Sequence, residues 1–156
     1  MKVTFLGTGT SAGVPVLGCD CAVCHSADPR DKRFRSAAMI ESQTTRLLID
    51  CGPDIRMSLL RVPFRKLDGV LLTHIHYDHV AGIDDLRAFC VFGDINIYAE
   101  DNVIAGLRHT MPYCFPPQGE KLYPGAPKLN LHPVFPHREF LIGDIPVLPV
   151  RVMHDE

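Results

Sequence analysis

The chain has 156 residues, 46% of them hydrophobic, and a formal charge of −2 from 16 Lys+Arg against 18 Asp+Glu. This length suits one domain, and the composition is that of a globular protein, which excludes a disordered tail or a fibre. The charge balance does not favour a nucleic-acid partner, although it allows a local basic patch. The longest apolar run is about five residues and a membrane span needs about 20, so we expect no membrane partner.

The first ten residues, MKVTFLGTGT, do not contain the apolar stretch of about 7–15 residues that a signal peptide requires. We therefore expect a cytoplasmic protein. In that compartment the six cysteines are expected to be thiols or metal ligands rather than disulfides.

Twelve glycines and thirteen prolines predict many turns and disfavour a long helical bundle. The predicted strands, in chain order, are residues 2–6, 37–42, 46–50, 70–73, 95–99, 128–132, 139–142 and 145–152. The predicted helices are residues 53–61, 82–89 and 101–109, and residues 111–127, with five prolines, predict an ordered loop or flap. This order indicates an α/β protein, or α+β in some schemes, with a sheet at its core.

A glycine-rich loop, GTGTSAG at residues 7–13, follows the first predicted strand. It is not a dinucleotide-binding fingerprint, because its third glycine comes one residue late for G-x-G-x-x-G and Val14-Pro15 does not continue as a helix. We expect a tight loop at the edge of the functional site.

The strongest functional signal is HIHYDH at residues 74–79, directly after an apolar strand. Extended geometry would place the imidazoles of His74 and His76 on one side of the chain, and Asp78 and His79 follow as the chain turns. Two ions could therefore bind side by side, and imidazole with carboxylate suits zinc, manganese or iron. The alternative is a solvated turn rich in histidine, but such a cluster without a cation would cost desolvation and repulsion.

These residues resemble the HxHxDH signature of the metallo-β-lactamase fold hydrolases. Residues 2–10 resemble the first strand and loop of the branch that includes tRNase Z and the PhnP-type phosphodiesterases, and LIDCG at residues 48–52 resembles the family strand that ends in Asp-x-Gly. The resemblance implies a four-layer αββα sandwich with the metals at the sheet edges. It also implies that Asp50 accepts a hydrogen bond from a metal-binding histidine. The alternative role for Asp50 is that of a turn residue before Gly52.

The resemblance further implies a third histidine ligand for the first ion. Residues 147–154 resemble the strand that delivers it, so His154 would join His74 and His76, while Asp78 and His79 would hold most of the second ion. The alternative is that His154 is an exposed histidine near the terminus.

A cysteine cluster lies at residues 19–24. Cys19, Cys21 and Cys24 are spaced closely enough to bind one soft cation, and a structural zinc takes four ligands. The cluster resembles the insertion of PhnP-type phosphodiesterases, which implies a zinc-binding insertion over about residues 14–35, with a fourth ligand that the sequence does not identify. Alternatives are three unrelated thiols, or c-type haem attachment at the C-x-x-C-H that ends in His25, which would leave Cys19 unused.

Two adjacent divalent ions can lower the pKa of a bridging water and bind the oxygens of a phosphodiester. We therefore expect a dinuclear zinc or manganese hydrolase that cleaves phosphodiesters with a metal-bridging hydroxide, with Asp78 and Asp50 at its catalytic site. The resemblance to the PhnP-type branch implies that the substrates are small or cyclic phosphodiesters. One alternative is a nuclease of the tRNA 3′-end-processing type, although its long RNA-binding arm is not evident. The other is a non-catalytic zinc-binding fragment.

The family domain continues beyond the third histidine to a metal-bridging aspartate and a further histidine. Here only Asp155 and Glu156 follow His154, and Asp155 is badly placed to bridge the metals. Residues 1–156 are therefore expected to form the N-terminal portion of one metallo-β-lactamase-like domain, comprising its first half and the start of the second. Missing strands would leave apolar surface that a homodimer could cover.

Overall fold

The computed structural model describes residues 1–117 and 119–154, and in this part of the chain eight strands form two sheets. The strands are β1 (Lys2–Gly7), β2 (Ala37–Glu41), β3 (Arg46–Ile49), β4 (Gly69–Leu71), β5 (Ile95–Ala99), β6 (Leu129–Pro133), β7 (Phe140–Ile142) and β8 (Ile145–Val147). The first six form one sheet in sequence order, and β7 and β8 pair as a separate antiparallel hairpin. Strands β1, β2 and β3 are antiparallel neighbours, whereas β3 to β6 are parallel.

The helices lie between the strands and are short. They are α1 (Ala22–His25), α2 (Ile55–Leu59), α3 (Tyr77–Val80) and α4 (Asp101–Thr110), with 3₁₀ helices at Pro29–Asp31, Ile83–Phe92 and Pro112–Cys114. The helix expected at 82–89 is thus a 3₁₀ helix, which ends at Gly93 with a φ of 122°. The strand expected at 145–152 ends at Val147, because Pro149 lacks the N–H that a longer ladder needs.

One row of side chains crosses the large sheet and forms the centre of the core. Met39, Leu48, Val70 and Ile97 are partners in adjacent strands and are fully buried. Each such side chain stabilises the fold by about 1.5–3 kcal/mol through burial. The helical residues in the same core cluster are Ile55, Ile83, Leu86, Phe89, Val103 and Leu107.

The opposite face of the sheet carries a smaller apolar cluster. Leu47 packs there with Ile142 and Ile145 of the β7–β8 hairpin. Val3 pairs with Ile40, which in turn pairs with Leu47, so Val3 lies on this same face, 53% exposed. Helices therefore cover one face of the sheet, while the hairpin covers part of the other.

The sheet topology brings several loops to one edge. Because β2 is antiparallel to both β1 and β3, strand β1 runs in the same direction as β3 to β6. The glycine-rich loop follows β1, Asp50 follows β3, the 74–79 segment follows β4 and Glu100 follows β5. In open α/β sheets this carboxyl edge is where ligands bind. Within the described ranges, none of the helices combines the length and apolar character needed to span a bilayer.

Candidate metal centre

The two leading histidines of the 74–79 segment lie between a strand and a helix. Strand β4 ends at Leu71, and α3 begins at Tyr77. His76 caps α3 with an extended backbone, φ −62° and ψ 148°, while Asp78 and His79 lie within the helix. The segment therefore presents His74 and His76 from the loop between β4 and α3, and Asp78 and His79 from a helical turn.

His154 reaches the same place from the end of the described chain. The strand expected to deliver it stops at Val147, so that expectation is wrong, and residues 148–154 have no regular secondary structure. The His154 ring nevertheless lies 4.6 Å from the ring of His74 and 5.4 Å from that of His76. Arg151 forms a 2.6 Å ion pair with Glu100, which attaches this segment to the residue after β5.

The ring nitrogens of the three histidines lie close enough together to bind one metal ion. One ring nitrogen from each of His74, His76 and His154 lies within 4.8 Å of the others. The Nε2 atom of His74 is buried and has no hydrogen-bond partner among the described residues. An unsatisfied buried nitrogen costs about 1–3 kcal/mol, and coordination to a cation would remove that cost. The residues present therefore fit a divalent metal ion.

Burial lowers the pKa of His74, and the nearby His79, His76 and His154 lower it further. Desolvation and like charges both disfavour the imidazolium form. This shift favours the neutral form of His74, which is the form that binds metals.

A hydrogen-bond network behind the histidines assigns their tautomers. Asp50 Oδ2 accepts from His79 Nδ1 at 2.7 Å, and the Thr73 hydroxyl lies 2.9–3.0 Å from both Asp50 oxygens. The same hydroxyl is 2.9 Å from His74 Nδ1. Because a carboxylate only accepts, Thr73 donates its proton to Asp50 and accepts from His74. In their neutral forms, His74 and His79 therefore both keep a lone pair on Nε2.

Asp50 adopts a strained backbone in this network. Its φ of 60° is in the left-handed region, which costs a non-glycine residue of order 1–3 kcal/mol. Its backbone N–H donates to Leu71, and its carboxylate also accepts the backbone N–H of Thr73 at 2.9 Å. These bonds hold the carboxylate between the ends of β3 and β4.

The remaining two predicted ligands lie beside the three histidines. Asp78 Oδ2 is 3.1 Å from His79 Nε2, and the His79 ring is 4.1 Å from the ring of His74. Gly52 packs against the backbone of Asp78, where an added Cβ would overlap the carbonyl oxygen. The structure thus places Asp78 and His79 together next to the triad, as a pair that could contribute to a second ion.

The three cysteines also converge. The sulfur atoms of Cys19, Cys21 and Cys24 lie within 4.8 Å of one another, and all three are free thiols. Bonds from the Cys24 backbone and from the side chains of Cys19 and Cys24 lower the pKa of Cys21 to about 7. His25 lies 3.2 Å from Asp20 instead of joining the sulfurs, and no fourth donor joins them in residues 1–117 and 119–154. Three soft donors at this spacing fit zinc.

Comparison with known proteins decides the family. Residues 45–156 match the family described as the beta-lactamase superfamily domain. The chain belongs to this family. Among solved structures, a diphosphatase of the PhnP family matches 97% of the chain with 35% identity and a TM-score of 0.84, and the chain covers 57% of that protein. The predicted metallo-β-lactamase fold is therefore confirmed. The chain corresponds to about half of this neighbour.

Curated relatives of this beta-lactamase superfamily chain have several names. It is 45% identical over 155 residues to an octanoyltransferase of Porphyromonas gingivalis and 40% identical over 86 residues to a ribonuclease Z of Bradyrhizobium diazoefficiens. These matches cover 99% and 54% of the chain but only 31% and 23% of the relatives. The chain therefore spans about a third or less of these two proteins.

The fold also resembles a Zn²⁺-bound PqqB from Methylobacterium extorquens, with a TM-score of 0.76 and 97% of the chain covered. The two share 23% identity, and the chain covers 56% of that protein, so the likeness concerns the fold alone. The number and identity of the metals in this beta-lactamase superfamily member stay predictions.

Thr73 belongs to the site but was not among the predicted site residues. The signal that could have identified it is a hydroxyl residue directly before the first histidine. Asp155 lies outside the described residues.

Proposed function

We propose that the protein is a metal-dependent hydrolase of small or cyclic phosphodiesters. The observation that carries the proposal is the buried Nε2 of His74, which has no hydrogen-bond partner among the described residues. Behind the ring, Thr73 and Asp50 fix its tautomer. The match to a PhnP-family diphosphatase supports a phosphate ester or anhydride as the substrate class.

His74, His76 and His154 would hold one ion, and Asp78 with His79 would provide part of the site for a second. Bound divalent ions supply Lewis-acid polarisation of phosphoryl oxygens and activation of water near neutral pH. The chain's own contribution is orientation, because Asp50 holds the proton of His79 on Nδ1 and, through Thr73, that of His74. Both Nε2 atoms thereby keep a lone pair that can bind a metal.

A second candidate is hydrolysis of a diphosphate, since the solved structure with 35% identity is called a diphosphatase. Ribonuclease activity is a third candidate, favoured by the ribonuclease Z relatives, although the charge of −2 gives little general attraction to RNA. Octanoyl transfer is not proposed, because the three histidines suit a metal-dependent hydrolase and the chain covers only 31% of the protein with that name.

The test is turnover by the purified protein of bis(p-nitrophenyl) phosphate, inorganic diphosphate and a 3′-extended tRNA, each with Mn²⁺ or Zn²⁺. We expect the diester to be the best substrate, and His76→Ala and Asp78→Ala to lose about 100-fold or more. His132→Ala is the matched control. It also removes a histidine, but the His132 side chain bonds to Asn96 and stacks on Tyr98 and is not one of the proposed ligands. Diester turnover that both site variants leave unchanged would exclude the mechanism.

Elemental analysis separates this proposal from the non-catalytic alternative. We propose two ions at the histidine site and one structural zinc at the cysteines, about three in all. About one zinc per chain, lost only when Cys19→Ser is introduced, would favour a zinc-binding module.

A further inference from the structure

Arg35 connects the glycine-rich loop to the segment that follows Asp50. Its backbone N–H donates to Asp54 Oδ2 at 2.9 Å, and its Nη1 lies 2.9 Å and 3.0 Å from the two Asp54 oxygens. Its Nε donates to the carbonyl oxygen of Ser11 at 2.8 Å. The side chains of Arg35 and Asp54 are 28% and 25% exposed, so solvent screens this pair less than an open surface pair.

Backbone contacts fix the two ends of the loop. Gly9 donates to the carbonyl of Phe34 at 2.7 Å, and Val14 and Arg33 exchange two bonds of 2.8 Å. A Cβ at Gly7 would overlap the carbonyl oxygen of Arg35, so the loop lies directly against this segment. Ser11, at the exposed tip, is held by the Arg35 guanidinium, which is the only side chain that bonds to the tip in the described residues.

The other end of this contact leads to the metal centre. Asp50 bonds to His79, the N–H of Cys51 donates to the carbonyl of His79 at 2.7 Å, and Asp54 follows three residues later with its bond to Arg35. Four residues of extended chain span at most about 14 Å. The loop and the histidines also follow strands at the same carboxyl edge of the sheet, so residues 50–54 connect the loop to the metal centre.

We propose that Arg35 is a positioning residue that fixes loop 7–13 as a wall of the substrate cleft beside the metal centre. The proposal rests on the hydrolase function proposed above. Arg35 does not act as an anion-binding charge, because Asp54 neutralises it. Its planar guanidinium satisfies the two Asp54 oxygens and the Ser11 carbonyl at once, which the single ammonium of lysine cannot reproduce.

A wall that contacts the substrate away from the reacting atoms affects binding more than chemistry. Arg35→Lys is therefore expected to raise KM for bis(p-nitrophenyl) phosphate about 10-fold, with kcat within about 2-fold and metal content unchanged. The control is Arg33→Lys, because Arg33 is exposed and contacts the loop through its backbone. We expect this control to leave KM and kcat unchanged.

Asp54→Asn is the second variant, and it keeps the test valid if Arg35→Lys does not fold. It is expected to raise KM in the same direction, and the double variant should add little to either single change. An unchanged KM in both variants, or loss of kcat together with metal, would overturn the positioning role while the hydrolase function stands. A wild-type protein that binds metal but turns over no phosphate ester would overturn the proposed function, and this inference with it.

Discussion

Asp50 and His79 are joined by a 2.7 Å bond from ring Nδ1 to carboxylate oxygen, and both side chains are largely buried. The same carboxylate accepts from the Thr73 hydroxyl, which reaches His74. One acidic group therefore orients one histidine of the triad and one histidine of the adjacent pair. The two groups of predicted ligands are thus linked before any metal binds.

The Asp50 carboxylate is expected to be necessary for tight metal binding. Asp50→Asn should weaken Zn²⁺ or Mn²⁺ binding about 10–100-fold, because an amide is a weaker acceptor and no longer orients His79 as a carboxylate does. Competition against a chromogenic chelator measures the affinity. Asp94→Asn, at an exposed position, is the control, and equal affinities in the two variants would contradict the role.

The side chain of Thr73 is expected to act through its hydroxyl group. Thr73→Val keeps the shape of the side chain but removes the hydroxyl that links His74 to Asp50. His74 can then carry its proton on Nε2, so metal affinity should fall about 10-fold. Thr73→Ser should restore the affinity. Nitrogen NMR of the imidazoles in metal-free protein would report the tautomer directly. An unaltered His74 spectrum in Thr73→Val would refute the role of the Thr73 hydroxyl in fixing this tautomer.

The cysteine cluster is expected to show pH-dependent reactivity when metal is removed. Hydrogen bonds from the Cys24 backbone and the neighbouring thiols stabilise the Cys21 thiolate and lower its pKa to about 7. Alkylation of Cys21 by iodoacetamide in chelator-treated protein should therefore rise with pH and be half-maximal near pH 7, because the thiolate is the nucleophile. Zinc should suppress it. Mass spectrometry of each thiol gives the profile, and Cys114, whose pKa burial raises to about 11, is the internal control.

The ion pair between Arg151 and Glu100 is expected to affect metal binding through His154. Glu100→Gln removes the charge that holds the segment three residues before His154, so the first ion should bind about 3–5-fold more weakly. Lys2→Gln removes the exposed Lys2–Glu41 pair at the far side of the sheet and should have no effect on the metal. High salt should reduce the wild-type affinity toward that of Glu100→Gln.

Local patterns predicted the strands well where a short apolar-rich run lies beside turn residues. Strands β1, β2, β3 and β5 lie within about one residue of their predicted bounds, because each is such a run. The ligands at residues 74–79 were predicted because they are contiguous in sequence. The Arg35–Asp54 contact was not, because its members are 19 residues apart and only tertiary structure brings them together. The irregular path to His154 was missed because Pro149 interrupts a pattern that otherwise alternates.

The carboxyl edge of the sheet has a thermodynamic consequence. His74 follows β4 and His154 arrives after β8, while Asp50, which orients the histidines, follows β3. The ligand atoms therefore converge only once strands distant in sequence have paired. An ion that binds the assembled edge and not the open chain adds its binding free energy to the stability of the fold. The melting temperature should therefore rise with free metal concentration. A metal titration then measures the folding of the sheet as well as the affinity of the site.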